Sequence, residues 1–141
     1  MLLVLTMSKL PRKAWRSGGC HCGAVRFEVH ASDDVELIAC NCSICTKSGF
    51  LHLIVPDDDF RLIQGKSALT KYTFNTGVAK HYFCSKCGIK PFYVPRSHPD
   101  GWSVNFNCLD DRQNFKSVIT TEFDGSNWED NAEKLAPLES R

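Results

Sequence analysis

Seven of the eight cysteines fall into three tight groups: Cys20-His21-Cys22, Cys40-Asn41-Cys42-Ser43-Ile44-Cys45 and Cys84-Ser85-Lys86-Cys87. Thiolates one or two residues apart can point at one ion from a single turn of chain, whereas disulfide partners are more often spread so that the cross-link constrains a loop. The grouping predicts metal ligation. A closed structural zinc takes four protein ligands; a catalytic zinc keeps three and leaves the fourth position for water or substrate. Cys20, Cys22, Cys84 and Cys87 supply a set of four, and Cys40, Cys42 and Cys45 a set of three, so two zinc ions are expected.

Cys84-Ser85-Lys86-Cys87-Gly88 has the form of a knuckle, in which the glycine can take the positive φ that the turn tends to need. Cys20 and Cys22, read as positions i and i+2 of a strand, would face one side and reach the same ion at about 2.3 Å. The competing reading of Cys-x-x-Cys, a redox dithiol, favours a βαβ setting that the surrounding pattern lacks. His21 lies between two of these cysteines and is expected to point away from the metal.

For the three-cysteine set the fourth position is the question. Left open, it lets the metal bind and deprotonate an incoming thiol or polarise a carbonyl, because coordination lowers the pKa of bound thiol and water. Filled, it makes the site structural, and the residues that could fill it or sit beside it are Cys108 and His52. A lone cysteine in a strand such as 104–108 is also a common small buried hydrophobe, and His52 is equally a histidine of an apolar strand. His30, His81 and His98 carry no usable spacing. Arg96, after Pro95, is a candidate for holding a substrate carboxylate. Asp57-Asp58-Asp59 reads as a solvated turn, and Tyr82, Phe83, Phe92, Tyr93, Trp102 and Phe106 as core or cleft-lining aromatics.

The elements that must position these groups are mostly strands. Val25, Phe27 and Val29 alternate with Arg26, Glu28 and His30 at the period of a half-buried strand. Residues 35–39 run into the three-cysteine group and 50–55 leave it, as β-prone runs with that group in a loop between them. Further strands are expected at 60–63, 69–74, 78–83, 89–94 and 102–106, with Asn75-Thr76-Gly77 turning a hairpin that delivers Cys84 and Cys87. A short helix is expected near Trp128, capped from 124–127. The fold class is mainly β, of twisted antiparallel sheets stapled by zinc.

At 141 residues, 43% hydrophobic and 23% charged, the chain has the proportions of one globular domain. We divide it into an N-terminal extension, 1–13, expected to be flexible, a zinc-binding domain, 14–130, and a C-terminal tail, 131–141. A formal net charge of +1 offers no broad electrostatic footprint for nucleic acid, and Lys9, Arg12, Lys13 and Arg16 read as a solvated arm. The opening apolar run is too short for a secretion signal and no segment approaches the roughly 20 apolar residues of a membrane span. An intracellular protein of cytoplasm or nucleus is expected, without a membrane partner, in a compartment that keeps thiols reduced.

In Gly19-Cys20-His21-Cys22-Gly23, Cys40-Asn41-Cys42-Ser43-Ile44-Cys45 and Phe83-Cys84-Ser85-Lys86-Cys87-Gly88, the chain resembles the glutathione-dependent formaldehyde-activating enzyme family over about residues 15–130. Tyr72-Thr73-Phe74-Asn75-Thr76, Pro95-Arg96-Ser97 and Cys108-Leu109-Asp110 resemble its centromere protein V type. The resemblance implies a fold similar to the zinc-binding methionine sulfoxide reductases, Cys20, Cys22, Cys84 and Cys87 around a structural zinc, and Cys40, Cys42 and Cys45 around a catalytic one. It implies a carbon–sulfur lyase, with glutathione as the thiol partner and S-hydroxymethylglutathione as the adduct. The centromere protein V likeness keeps a second class open, a non-catalytic zinc scaffold for protein partners.

Overall fold

The computed structural model describes residues 13–131. Two sheets build it. The smaller holds β1 (Lys13–Gly19), β2 (Arg26–Ser32) and β5 (Phe60–Gln64) in the order β1-β2-β5, antiparallel throughout. The larger is formed by β3 (Asp34–Cys40), β4 (Leu51–Pro56), β6 (Leu69–Tyr72), β7 (Lys80–Cys84), β8 (Phe92–Val94), β9 (Gly101–Asn105) and β10 (Ser117–Phe123), in the order β10-β3-β4-β9-β8-β7-β6. Its pairs are antiparallel except β10 with β3, which run parallel from Ser117 opposite Asp34 to Phe123 opposite Cys40. Helices are short: α1 (Ser43–Ser48) and α2 (Trp128–Asn131).

The alternation in β2 places Phe27, Val29 and Ala31 inward. Phe27 stacks on Phe60 of its own sheet and meets Phe92 of the larger sheet edge to face at 5.7 Å, while Phe60 stacks on Trp102 at 4.5 Å. Phe92 and Trp102, two of the aromatics expected in core or cleft, thus join the two sheets, with Val25, Leu37, Leu53, Val55 and Val104 around them. Gly18 is required by this packing: a Cβ there would lie 2.7 Å from the Phe27 ring and 2.6 Å from the Cys108 carbonyl oxygen. The Asp57–Asp59 turn serves the structure, with Asp57 accepting from the Trp102 indole and Asp59 pairing with Lys13 and His30.

Several expectations shift. Lys13, assigned to the extension, opens β1 opposite Ser32, and Asn131, assigned to the tail, closes α2; residues 1–12 and 132–141 lie outside the described ones. The strands expected to run to Phe74 and from Val78 stop at Tyr72 and resume at Lys80, leaving a wider loop whose Asn75 takes a left-handed φ of 56°. No strand was expected at 117–123, whose side chains are mostly exposed and show no clean apolar alternation. Among the described residues no helix is long and apolar enough to cross a membrane.

Candidate active site

The four-cysteine group assembles between the sheets. Cys20 and Cys22 lie in the turn from β1 to β2, not on a strand, and Gly23 closes that turn at φ 82°. The turn, rather than strand alternation, brings the two sulfurs to one side, 3.6 Å apart. Cys84 ends β7 and Cys87 follows in the knuckle, where Gly88 at φ 79° donates its N–H to the Cys84 carbonyl at 2.7 Å. The four sulfurs lie within 4.8 Å of one another, with Cys22 and Cys84 at 3.7 Å. These are contacts of free cysteines, far beyond the roughly 2.05 Å of a disulfide. Backbone amides point at the knuckle sulfurs: the Ile89 amide is the leading cause that pulls Cys87 down to about 6, and the Cys87 amide is the leading cause that pulls Cys84 down. Such a turn favours thiolates, the form that ligates metal.

Cys40 is the last residue of β3, Cys42 the N-cap of α1 and Cys45 lies one turn into that helix. The expected loop is therefore a strand end followed by a helix of six residues. The i,i+3 spacing places Cys42 and Cys45 on one helix face, and Gly49, left-handed at φ 64°, ends the helix before β4. The three sulfurs come within 4.8 Å of one another. Crowding of this kind allows one thiolate held by two thiols. Cys42 is driven far down, first by Cys40 and then by Cys45, while the same contacts and burial drive Cys45 up. A divalent cation relieves that conflict, because coordination holds all three as thiolates. Both cysteine groups therefore could hold metal ions, and their sulfur donors suit zinc.

His52 sits beside the trio but touches only one member. Its Nε2 is 3.1 Å from Cys45 Sγ, and its Nδ1 faces Ser103 Oγ at 2.9 Å and the Tyr93 hydroxyl at 3.3 Å. Burial first, then the nearby Lys90 cation, lowers it to about 3. A neutral His52 whose Nε2–H donates to a Cys45 thiolate accepts at Nδ1 from Ser103 or Tyr93. The arrangement orients a sulfur ligand from outside, in the manner of hydrogen-bonded partners around metal sites. Cys108 lies elsewhere. It ends a 3-10 turn, not a strand, and its thiol is raised to about 11 by burial and then by Cys20 and Cys87, which places it near the four-cysteine group.

A cavity of about 420 Å³ opens over the trio. Cys40, Cys42 and Cys45 line it together with Phe74, Asn75 and Thr76 of the β6–β7 loop, Tyr93 of β8, Arg96 and Ser97 just after it, and Gly125, Ser126 and Trp128 after β10. Arg96 is at this wall, stacked 3.8 Å over Trp128 and paired with Glu129. His81 also lines the cavity, stacked on Tyr93 at 4.7 Å, and burial and then Lys90 lower it to about 4.

The wall after β10 was not anticipated. Asp124 accepts from Asn41 Nδ2 at 3.0 Å, and Asn41 Oδ1 accepts from the Ser126 amide at 3.0 Å. That clamp lays Gly125 on the trio: a Cβ there would fall 2.2 Å from Cys40 Sγ. The signal was present in Asn41, an amide between two cysteines, but its partner stands 83 residues away.

The sequence profile of a family described as glutathione-dependent formaldehyde-activating enzyme matches residues 15–123, from β1 to the end of β10. The chain belongs to the glutathione-dependent formaldehyde-activating enzyme family. A Halomonas elongata protein provisionally given the same name is 33% identical over 78 residues, and the match covers 50% of each chain. The chain thus spans about half the length of that curated relative. The crystal structure of a Rhodobacter sphaeroides protein superposes with a TM-score of 0.63 at 34% identity, covering 74% of this chain and 99% of that one. All seven cysteines of the two groups lie inside the family match.

Proposed function

We propose that the protein is a zinc-dependent carbon–sulfur lyase of the S-(hydroxymethyl)glutathione synthase type, joining formaldehyde to the thiol of glutathione or releasing it from the adduct. The observation that carries this reading is the cavity over three sulfurs, none of the other described Cys, His, Asp or Glu donors joining their group. A three-thiolate site facing a cavity leaves room for an exogenous ligand, whereas the four-cysteine group has its four ligands and suits a structural ion.

A bound zinc would supply Lewis acidity and lower the pKa of a thiol at its open position. The chain's residues supply the rest. Cys40, Cys42 and Cys45 would hold the ion, and His52 would fix the Cys45 sulfur by its Nε2 contact. Phe74, Tyr93 and Trp128 would screen the reacting groups from water, which strengthens electrostatic interactions at the sulfur. Arg96 would hold a glutathione carboxylate at the rim by exchanging Glu129 for the ligand. In the condensation, the thiol sulfur forms a bond to the aldehyde carbon, the carbon–oxygen π bond breaks, and the proton lost by sulfur ends on oxygen.

The test is to titrate the metal-loaded protein with glutathione and read sulfur coordination at the trio by X-ray absorption, then to add formaldehyde and follow the adduct by NMR. Coordination by a fourth sulfur and faster adduct formation are expected. A metal already four-coordinate and unmoved by millimolar thiol would favour the scaffold reading.

A further inference from the structure

Lys90, three residues after the last knuckle cysteine, is buried, and its Nζ has no hydrogen-bond partner. The ammonium rests 4.1 Å from the centre of the Tyr93 ring and 4.6 Å from that of Phe50. No described carboxylate forms an ion pair with it. Two aromatic faces attract a cation weakly compared with the hydration it gives up. An unpaired buried ammonium is costly unless an opposite charge stands near. Phe50 and Tyr93 both pack on His52, at 4.7 and 5.5 Å between ring centres, and His52 Nε2 lies 3.1 Å from Cys45 Sγ. Burial lowers Lys90 to about 8, against which Cys45 and then Cys42 favour its charged form, and His52 and His81 are kept neutral first by burial and then by Lys90. The cation therefore sits behind the two rings that hold His52 against the trio.

We propose that Lys90 is the buried counter-charge of the three-cysteine site and biases the open position of its metal toward an anionic thiolate. The charge count carries the argument. A divalent cation on three thiolates has net charge −1, and Lys90 brings the enclosed group to zero. An incoming thiolate then takes the group to −1 rather than −2, a step that in a site of low dielectric is strongly preferred. Water or a neutral thiol gains nothing comparable. Lys90 does not line the cavity, so it acts through the field at the metal and is a positioning residue.

This rests on the proposed function only for the identity of the thiolate, and the experiment separates the two. The whole protein, holding one equivalent of Zn2+, is titrated with Co2+ in competition with a chelator of known affinity; loss of the cobalt absorption in Cys45→Ser assigns it to the trio. Lys90→Met keeps the unbranched stem over the two rings and removes the charge, and Lys90→Arg keeps the charge. We expect folded Lys90→Met to take cobalt within a few-fold of wild type, because the trio carries −1 both as one thiolate with two thiols and as three thiolates on a divalent cation. Its loaded cobalt should bind the thiolates of glutathione and mercaptoethanol about 10- to 100-fold more weakly, the order expected for the field of one charge several ångströms away, while imidazole binding changes little, and Lys90→Arg should restore most of the loss. Wild-type affinity for both thiolates in loaded Lys90→Met overturns the assignment. A wild type whose cobalt takes mercaptoethanol but not glutathione sinks the proposed function, and the mercaptoethanol affinities still decide the role of Lys90; cobalt that takes neither thiolate overturns both. No metal at the trio at all overturns both.

Discussion

Gly125→Ala tests the three-cysteine site through a residue that donates no ligand atom. The added methyl would be built 2.2 Å from Cys40 Sγ and 3.1 Å from Cys42 Cβ, against the roughly 3.5–4.0 Å at which nonbonded heavy atoms settle. Either Cys40 moves by more than about 1 Å or the 124–127 segment lifts, and lifting breaks the Asn41 clamp. Overpacking of this sort costs about 1–3 kcal/mol. Borne by the loaded trio, that cost is a loss of about five- to 150-fold in affinity, at tenfold per 1.4 kcal/mol. The assay is chelator competition for the second equivalent of metal, with thermal unfolding alongside. Gly18→Ala is the control, because its methyl would meet the Cys108 carbonyl oxygen at 2.6 Å and Phe27 at 2.7 Å, a comparable clash that touches no member of the trio. Gly18→Ala should lose stability and keep the second metal; Gly125→Ala should lose the second metal with less effect on unfolding. Wild-type metal affinity in Gly125→Ala would mean that the 124–127 segment does not hold the trio's geometry.

Cys87→Ser should lose much of the fold with its metal, because the four-cysteine group joins the β1–β2 turn to the end of β7 and structural metal binding is coupled to folding; Cys45→Ser should stay folded and lose only the second metal, and equal unfolding of the two by calorimetry would make both sites structural. Asp124 is held at about 2, first by Asn127, then Ser126 and Asn41. A carboxyl depressed in the folded state contributes stability above its unfolded value, 3.8, and loses it as pH falls through about 2. The gap in unfolding midpoint between wild type and Asp124→Asn should therefore close from pH 4 down to 2, and a gap that widens on acidification contradicts this. Arg96→Met should raise KM for glutathione several-fold with kcat little changed, as removal of uniform binding does, and an unchanged KM in steady-state kinetics removes Arg96 from the substrate site.

What could be read along the chain was what repeats locally. The alternation around β2 is a period of two, and Val25, Phe27 and Val29 are buried as it predicts. Each cysteine group announced its ligands because their spacing is set by a single turn of backbone, while the joining of Cys20 and Cys22 to Cys84 and Cys87, across the 62-residue separation of Cys22 and Cys84, followed from the four ligands a closed site takes. What escaped depends on distant chain. β10 has little alternation since most of its side chains are exposed, and only its parallel pairing with β3 makes it a strand. Lys90 looked like any lysine after a knuckle; its burial comes from Phe50 and Tyr93, brought by two other segments. His52 was a candidate to fill the metal's fourth position or to sit beside it, and the fold sets its Nε2 against one sulfur, that of Cys45.

The parallel pairing of β10 with β3 also orders events as the chain folds. Cys40, Cys42 and Cys45 leave the ribosome some 80 residues ahead of the segment that walls them, judging by the 83-residue separation of Asn41 and Asp124. Until that segment arrives, β3 is an unpaired sheet edge and the three thiols have no cover, a state open to wrong pairing and wrong metals. Closing so long a loop is slow compared with forming the antiparallel neighbours β6 and β7. The knuckle on β7 can thus mature early, while the trio is completed only by the last strand to pair. Occupancy of the three-cysteine site is in this sense a record that the whole sheet has closed.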